Sequence, residues 1–133
     1  MIKLFIIIVI FYNPIKCGHQ YITVEGRLFC YGEPIPNLKV ELYEEDVLYD
    51  DLLNSNYTDN EGDFELSGVD EEFSQIDPYI KFTYTCPIYE EKSLNDVKIL
   101  YVPSNVFRYY GYIRDFYFNF GSIDLKIIKK RVY

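Results

Sequence analysis

Residues 24–46, VEGRLFCYGEPIPNLKVELYEED, constrain the fold more than any other stretch of the chain. They read as two β-strands around a Gly-Glu-Pro-Ile-Pro turn, with Cys30 ending the first. Val24, Leu28 and Cys30 alternate with Glu25, Arg27 and Phe29, and Leu38, Val40 and Leu42 alternate with Lys39, Glu41 and Tyr43. A period of two sends successive side chains to opposite faces. Each run therefore has one apolar and one polar side, as in a sheet buried on one side.

The same period recurs along the chain. Phe64 and Leu66 show it, as do Ile80, Phe82, Tyr84 and Cys86. Further strands are expected over Val97–Val102, Phe116–Phe120 and Ile123–Ile128, with Phe116, Phe118 and Phe120 facing the core. About seven strands with turn signals between most of them predict an all-β sandwich. Glu44 to Asn54 reads as a loop or a single helical turn. The segment Thr58-Asp-Asn-Glu-Gly-Asp-Phe64 reads as a turn, because Asp and Asn bond their own backbone and Gly62 can take a positive φ. A calcium loop is the rival interpretation. An EF-hand needs its Gly at position six and a Glu at twelve, and Gly62 does not keep that spacing from Asp59.

A length of 133 residues has room for one domain. Leu4 to Tyr12 is an unbroken apolar run after a short basic start, too short for a bilayer and suited to a signal-peptide core. The rival is a buried first strand, but the other strands are apolar on one face only. Residues 1–17 are therefore expected to be a signal peptide, cleaved near 17/18, leaving a domain over 18–133 and an extracellular, secreted protein. Losing Lys3 and Lys16 leaves 11 basic against 21 acidic residues, so the formal charge moves from −8 to −10. That balance argues against nucleic acid as a partner. Cys17 leaves with the leader. Cys30 and Cys86 remain, both on the inward parity of their strands, and in an oxidising compartment such a pair is expected to bond. Closing so long a loop contributes about 4 kcal/mol in the chain-entropy account.

Catalytic chemistry finds little to work with. His19 is the only histidine and lies beside the cleavage point, so no Ser-His-Asp or Cys-His arrangement is expected. Two cysteines and a terminal histidine make a poor zinc set, and no metal or cofactor is expected. Asp50-Asp51 and Glu90-Glu91 read as solvated acidic loops, and Lys126, Lys129, Lys130 and Arg131 as a solvated basic end. Asn56-Tyr57-Thr58 is the one N-glycosylation sequon. Arg108, Tyr109, Tyr110, Tyr112 and Arg114 surround Gly111 and have the composition of a binding hot spot. Packing over one end of the sandwich is the alternative for these five.

The order of motifs resembles the nematode transthyretin-like family. The resemblance rests on Val24-Glu-Gly-Arg-Leu-Phe-Cys-Tyr-Gly-Glu-Pro, Val40-Glu-Leu-Tyr-Glu-Glu-Asp, Asp50-Asp-Leu-Leu and Thr58-Asp-Asn-Glu-Gly-Asp-Phe-Glu-Leu-Ser-Gly. Asp77-Pro-Tyr-Ile-Lys-Phe before Cys86 and Phe120-Gly-Ser-Ile-Asp-Leu near the end complete it. The resemblance implies a secreted, seven- or eight-stranded Greek-key sandwich. It also implies non-enzymatic binding of an extracellular protein, a lipid or a small apolar molecule. Related folds pair edge strands, so a homo-oligomer is an expectation of the same kind. Many members carry a further cysteine near the C-terminus; this chain ends Lys129-Lys-Arg-Val-Tyr133 without one, so a single disulfide is expected. The similarly folded 5-hydroxyisourate hydrolases use histidines and a C-terminal Tyr-Arg-Gly-Ser, which this chain lacks. A hydrolase and a structural or regulatory factor without a pocket are the alternatives to a binding protein.

Overall fold

The computed structural model describes residues 19–71, 76–86, 96–107 and 115–126. They form eight strands: β1 (His19–Cys30), β2 (Glu33–Pro34), β3 (Lys39–Glu44), β4 (Asp51–Tyr57), β5 (Asp63–Glu71), β6 (Pro78–Tyr84), β7 (Asp96–Tyr101) and β8 (Asp115–Asp124). A 3₁₀ turn, Ser104–Phe107, precedes β8. No described helix is long and apolar enough to cross a membrane.

Two sheets form a sandwich. In the first, β1 lies between antiparallel β5 and parallel β8, with short β2 paired to its end. In the second, the order is β4-β3-β6-β7, all antiparallel. The inward parities meet in one core: Ile22, Val24 and Leu28 from β1, Val40 and Leu42 from β3, Phe64 and Leu66 from β5, and Ile80 and Phe82 from β6. Alternating apolar residues on both inner faces are what such a core requires. The Cys30–Cys86 disulfide, with a Cα separation of 5.7 Å, joins the end of β1 in one sheet to the segment just after β6 of the other.

The strands on either side of the Gly-Glu-Pro-Ile-Pro turn do not pair with each other. β1 ends in a tight turn at Tyr31 and Gly32, both at positive φ. The chain then crosses the sandwich, anchored by buried Ile35, whose N–H reaches the Leu28 carbonyl at 3.0 Å. Asp124, in the closing Phe-Gly-Ser-Ile-Asp-Leu motif, holds that turn from 93 residues away. Its carboxylate accepts the backbone N–H groups of Tyr31 and Gly32 at 3.0 and 2.9 Å. Burial works against the charged form of Asp124, but the backbone donors of Lys126, Gly32 and Tyr31 outweigh it and lower the pKa.

Two expectations need correction. Glu44 to Asn54 is neither a loop throughout nor a helical turn: Glu44 ends β3, and from Asp51 the chain is strand β4. β4 shows no apolar alternation because it is an edge strand with only Leu53 half-buried. Leu53 is the extra residue of a bulge against β3, and the bulge turns its side chain onto Gly68. Phe116–Phe120 and Ile123 onward are also one strand through Asp124 rather than two. A bulge at Gly121, φ +73, absorbs the register shift opposite Glu25 and Arg27.

The segment 58–64 is a turn, as its residues predict. Asp59 Oδ1 accepts the N–H groups of Glu61 and Asp63, each at 2.9 Å. Gly62 sits at φ +81, where an added Cβ would meet the Leu28 carbonyl oxygen at 2.4 Å.

Candidate functional site

The five residues expected to form a binding patch, Arg108, Tyr109, Tyr110, Tyr112 and Arg114, lie outside the described residues. So do residues 1–17, expected to be a leader, and the basic end beyond Lys126. The flanks of the aromatic segment are core: buried Phe107 and Phe116 meet edge to face, with ring centroids 4.8 Å apart.

A different surface stands out among the described residues. Between β3 and β4 the chain turns over Glu45–Asp50 and presents Val47, Leu48 and Tyr49 to solvent, at 98, 82 and 82% exposure. The base of this loop is fastened. Glu45 donates its N–H to the Asp77 carbonyl at 3.1 Å, and Asp46 N–H reaches Asp50 Oδ1 at 3.2 Å. The Tyr79 hydroxyl donates to Asp50 Oδ2 at 2.5 Å, and that of Tyr101 to Glu45 Oε1 at 3.3 Å. Three consecutive apolar side chains are thus held in water by a pinned loop, although packing the core does not need them.

The pins belong to a row of tyrosines on the outer face of the second sheet. Tyr43, Tyr79 and Tyr101 are register partners across β3, β6 and β7. The first two rings stack with centroids 5.4 Å apart, and the next pair tilts at 5.2 Å. Lys81 Nζ lies 5.8 Å over the Tyr43 ring. All three phenols have raised pKa values: Tyr43 mainly through its bond to Glu41, Tyr79 mainly through burial reinforced by Asp50, and half-exposed Tyr101 through partial desolvation of its hydroxyl beside the Glu45 carboxylate. The exposed apolar surface continues from Tyr101 to Ile99 and Val97 along β7.

Carboxylates of Glu44, Asp51 and Asp70 converge below the loop, their nearest oxygens within 4.8 Å of one another. An all-oxygen set of this kind suits a hard divalent cation. Glu44, fully buried, and Asp70 each have a further partner in the fold.

The outer side of the first sheet carries an open groove of about 640 Å³, bordered by Glu25, Arg27, Asn56, Tyr57, Asp63 and Asn119. Arg27 grips its cross-strand partner Asp63 with two bonds, Nε to Oδ1 at 2.5 Å and Nη2 to Oδ2 at 2.8 Å, which keeps the Asp63 carboxyl below its ordinary range. Glu25 accepts from Asn119 Nδ2 at 2.9 Å and from the Tyr117 hydroxyl. The sequon residue Asn56 forms part of the wall and lies on β4. With Asn54 it closes the side of the sandwich. Their Nδ2 atoms donate to the β5 carbonyls of Glu65 and Ser67 at 3.3 and 2.8 Å.

The apolar tip escaped the sequence because Val-Leu-Tyr between acidic residues is equally compatible with a packed helical turn. Its only sequence signal is the flanking Glu44-Glu-Asp and Asp50-Asp, which no core element would tolerate in bulk.

The sequence pattern of the Transthyretin-like family matches residues 25–103. Transthyretin-like protein 46 of Caenorhabditis elegans is 45% identical over 69 residues, covering 50% of this chain and 38% of that protein. Transthyretin-like protein 16 of the same organism is 41% identical over 68 residues, covering 50% and 52%. Transthyretin-like protein 1 is 34% identical over 85 residues, covering 57% and 54%. The chain spans about half or less of the length of the relatives it matches. Among solved structures, a 9R-lipoxygenase from Cyanothece PCC8801 shares the fold at a TM-score of 0.51 and 19% identity, over 81% of this chain and 16% of that one.

Proposed function

The chain belongs to the Transthyretin-like family, and from that premise we propose that it is a secreted, non-enzymatic binding protein whose partner is another extracellular protein. The observation that carries this reading is the Val47–Leu48–Tyr49 tip, pinned at its base and exposed at its end. Burying a side chain of this size on a partner contributes about 1.5–3 kcal/mol. A pinned loop loses little conformational freedom in doing so. Glu45, Asp46, Asp50 and Asp51 surround the tip, so the complementary surface is an apolar pocket with a basic rim. The same charges oppose insertion into an anionic membrane. As a secreted protein, the chain carries a glycan on Asn56.

The test uses the full chain expressed in a secretory eukaryotic host, with a photo-crosslinking residue in place of Leu48. Captured extracellular proteins are identified by mass spectrometry, purified, and titrated against wild type and a Val47→Ser/Leu48→Ser/Tyr49→Ser variant. The expected result is at least a tenfold loss of affinity with an unchanged melting temperature, weakening further as salt is raised. Equal affinity for the two proteins would remove the tip from the interface.

A further inference from the structure

We propose that the groove on the first sheet is the seat of the glycan carried by the chain's own Asn56. This rests on the reading that Asn56 is glycosylated and is independent of the apolar tip. Three observations lead to it. Asn56 is exposed and forms part of the groove wall, so a sugar attached to Nδ2 starts at the edge of the cavity. The sequon threonine is out of reach in the folded chain. Thr58 is buried, its hydroxyl donates to the Ile35 carbonyl at 2.6 Å, and it accepts the Leu38 N–H at 2.9 Å. Addition therefore precedes folding, and β4 closes on β5 with the glycan in place. The groove also offers what sugar hydroxyls and ring faces bind: the lone pairs that Glu25 and Asp59 keep beyond their bonds within the fold, the second amide hydrogen of Asn119, the Ser122 hydroxyl, and the half-exposed ring of Tyr57.

The attachment chemistry is compatible with the fold. Transfer forms a bond from Asn56 Nδ2 to C1 of a lipid-pyrophosphate-linked oligosaccharide. The C1–O bond to the pyrophosphate breaks, the pyrophosphate leaves with the electron pair, and one amide proton is released. The second amide hydrogen remains to serve the Glu65 carbonyl, and Oδ1 keeps the Tyr57 N–H at 2.9 Å. Contacts too weak to hold a free sugar suffice here, because a short tether supplies an effective concentration in the millimolar range.

The experiment uses the full chain from a secretory eukaryotic host. Site occupancy at Asn56 is measured by mass spectrometry. The intact glycoform and the same chain made without the glycan in a bacterial periplasm, which keeps Asn56 as Asn, are then nitrated with tetranitromethane. Nuclear Overhauser contacts are recorded between sugar protons and the side chains of Tyr57 and Asn119. The expected result is an occupied Asn56, several-fold slower nitration of Tyr57 in the glycoform, unchanged nitration of Tyr49, and sugar contacts to Asn119 across the groove. An empty Asn56 overturns both the glycosylation reading and the seat. An occupied Asn56 with equal nitration rates, or with no contact to Asn119, overturns the seat alone.

Discussion

Two glycines show how residue choice follows from close approach. At Gly62 an added methyl would meet a backbone oxygen, Leu28 O, at 2.4 Å, and the φ of +81 already disfavours any side chain. At Gly26 it would meet the Phe64 ring at 2.7 Å, because the two residues face each other across β1 and β5. A ring can shift by part of an ångström where a hydrogen-bonded strand cannot. Gly26→Ala should therefore cost about 1–3 kcal/mol, the usual range for overpacking, and Gly62→Ala should cost more. Urea unfolding of the two variants checks the order; a smaller loss at Gly62 would contradict it. The positive φ at Gly62 was legible from Asp-Asn-Glu-Gly before a strand. The Gly26–Phe64 contact was not, since it depends on register between strands 38 residues apart.

At the scale of elements, the tyrosine row ties sheet to loop. Its hydroxyls donate to Glu41, Asp50 and Glu45, and a phenolate cannot donate. Each phenol has a folded pKa above its ordinary value near 10, so each contributes stability that is complete below that value and lost as the pH rises through the folded pKa. Ultraviolet titration of the folded protein should show these tyrosines ionising above the ordinary range near pH 10, Tyr79 last, and urea midpoints should fall over the same alkaline range. Replacing Asp50 with Asn should lower the ionisation pH of Tyr79, because the anionic acceptor that opposes its charge is gone. An unchanged profile would mean that Asp50 does not hold the loop. Alternation in β3, β6 and their neighbours announced those strands. β4 stayed hidden because an exposed edge strand has no buried face to impose a period.

For the whole molecule, the disulfide is the one covalent cross-link added to the main chain between the sheets among the described residues. Replacing Cys30 and Cys86 with Ser should remove about 4 kcal/mol of stability by freeing the unfolded chain, read as a lower urea midpoint against the oxidised wild type. A change near zero would show that the core and the Asn54 and Asn56 bonds hold the sheets together without it. The pairing was legible because removing the expected leader leaves two cysteines of inward parity. The period of two, the sandwich class, the inward-facing residues of β1, β3, β5 and β6, and the Gly62 turn were likewise set by the sequence alone. All are local consequences of which neighbouring side chains avoid water and which backbone angles a residue permits. Only the tertiary structure decided that β1 pairs with β5 and β8 rather than with β3, that Asp124 closes a turn near Tyr31, and that Asn56 borders a groove. It also decided that Val47, Leu48 and Tyr49 stay in water. Those outcomes depend on which distant strands share a register and on what covers a loop, and neither choice is written in the spacing of neighbours along the chain.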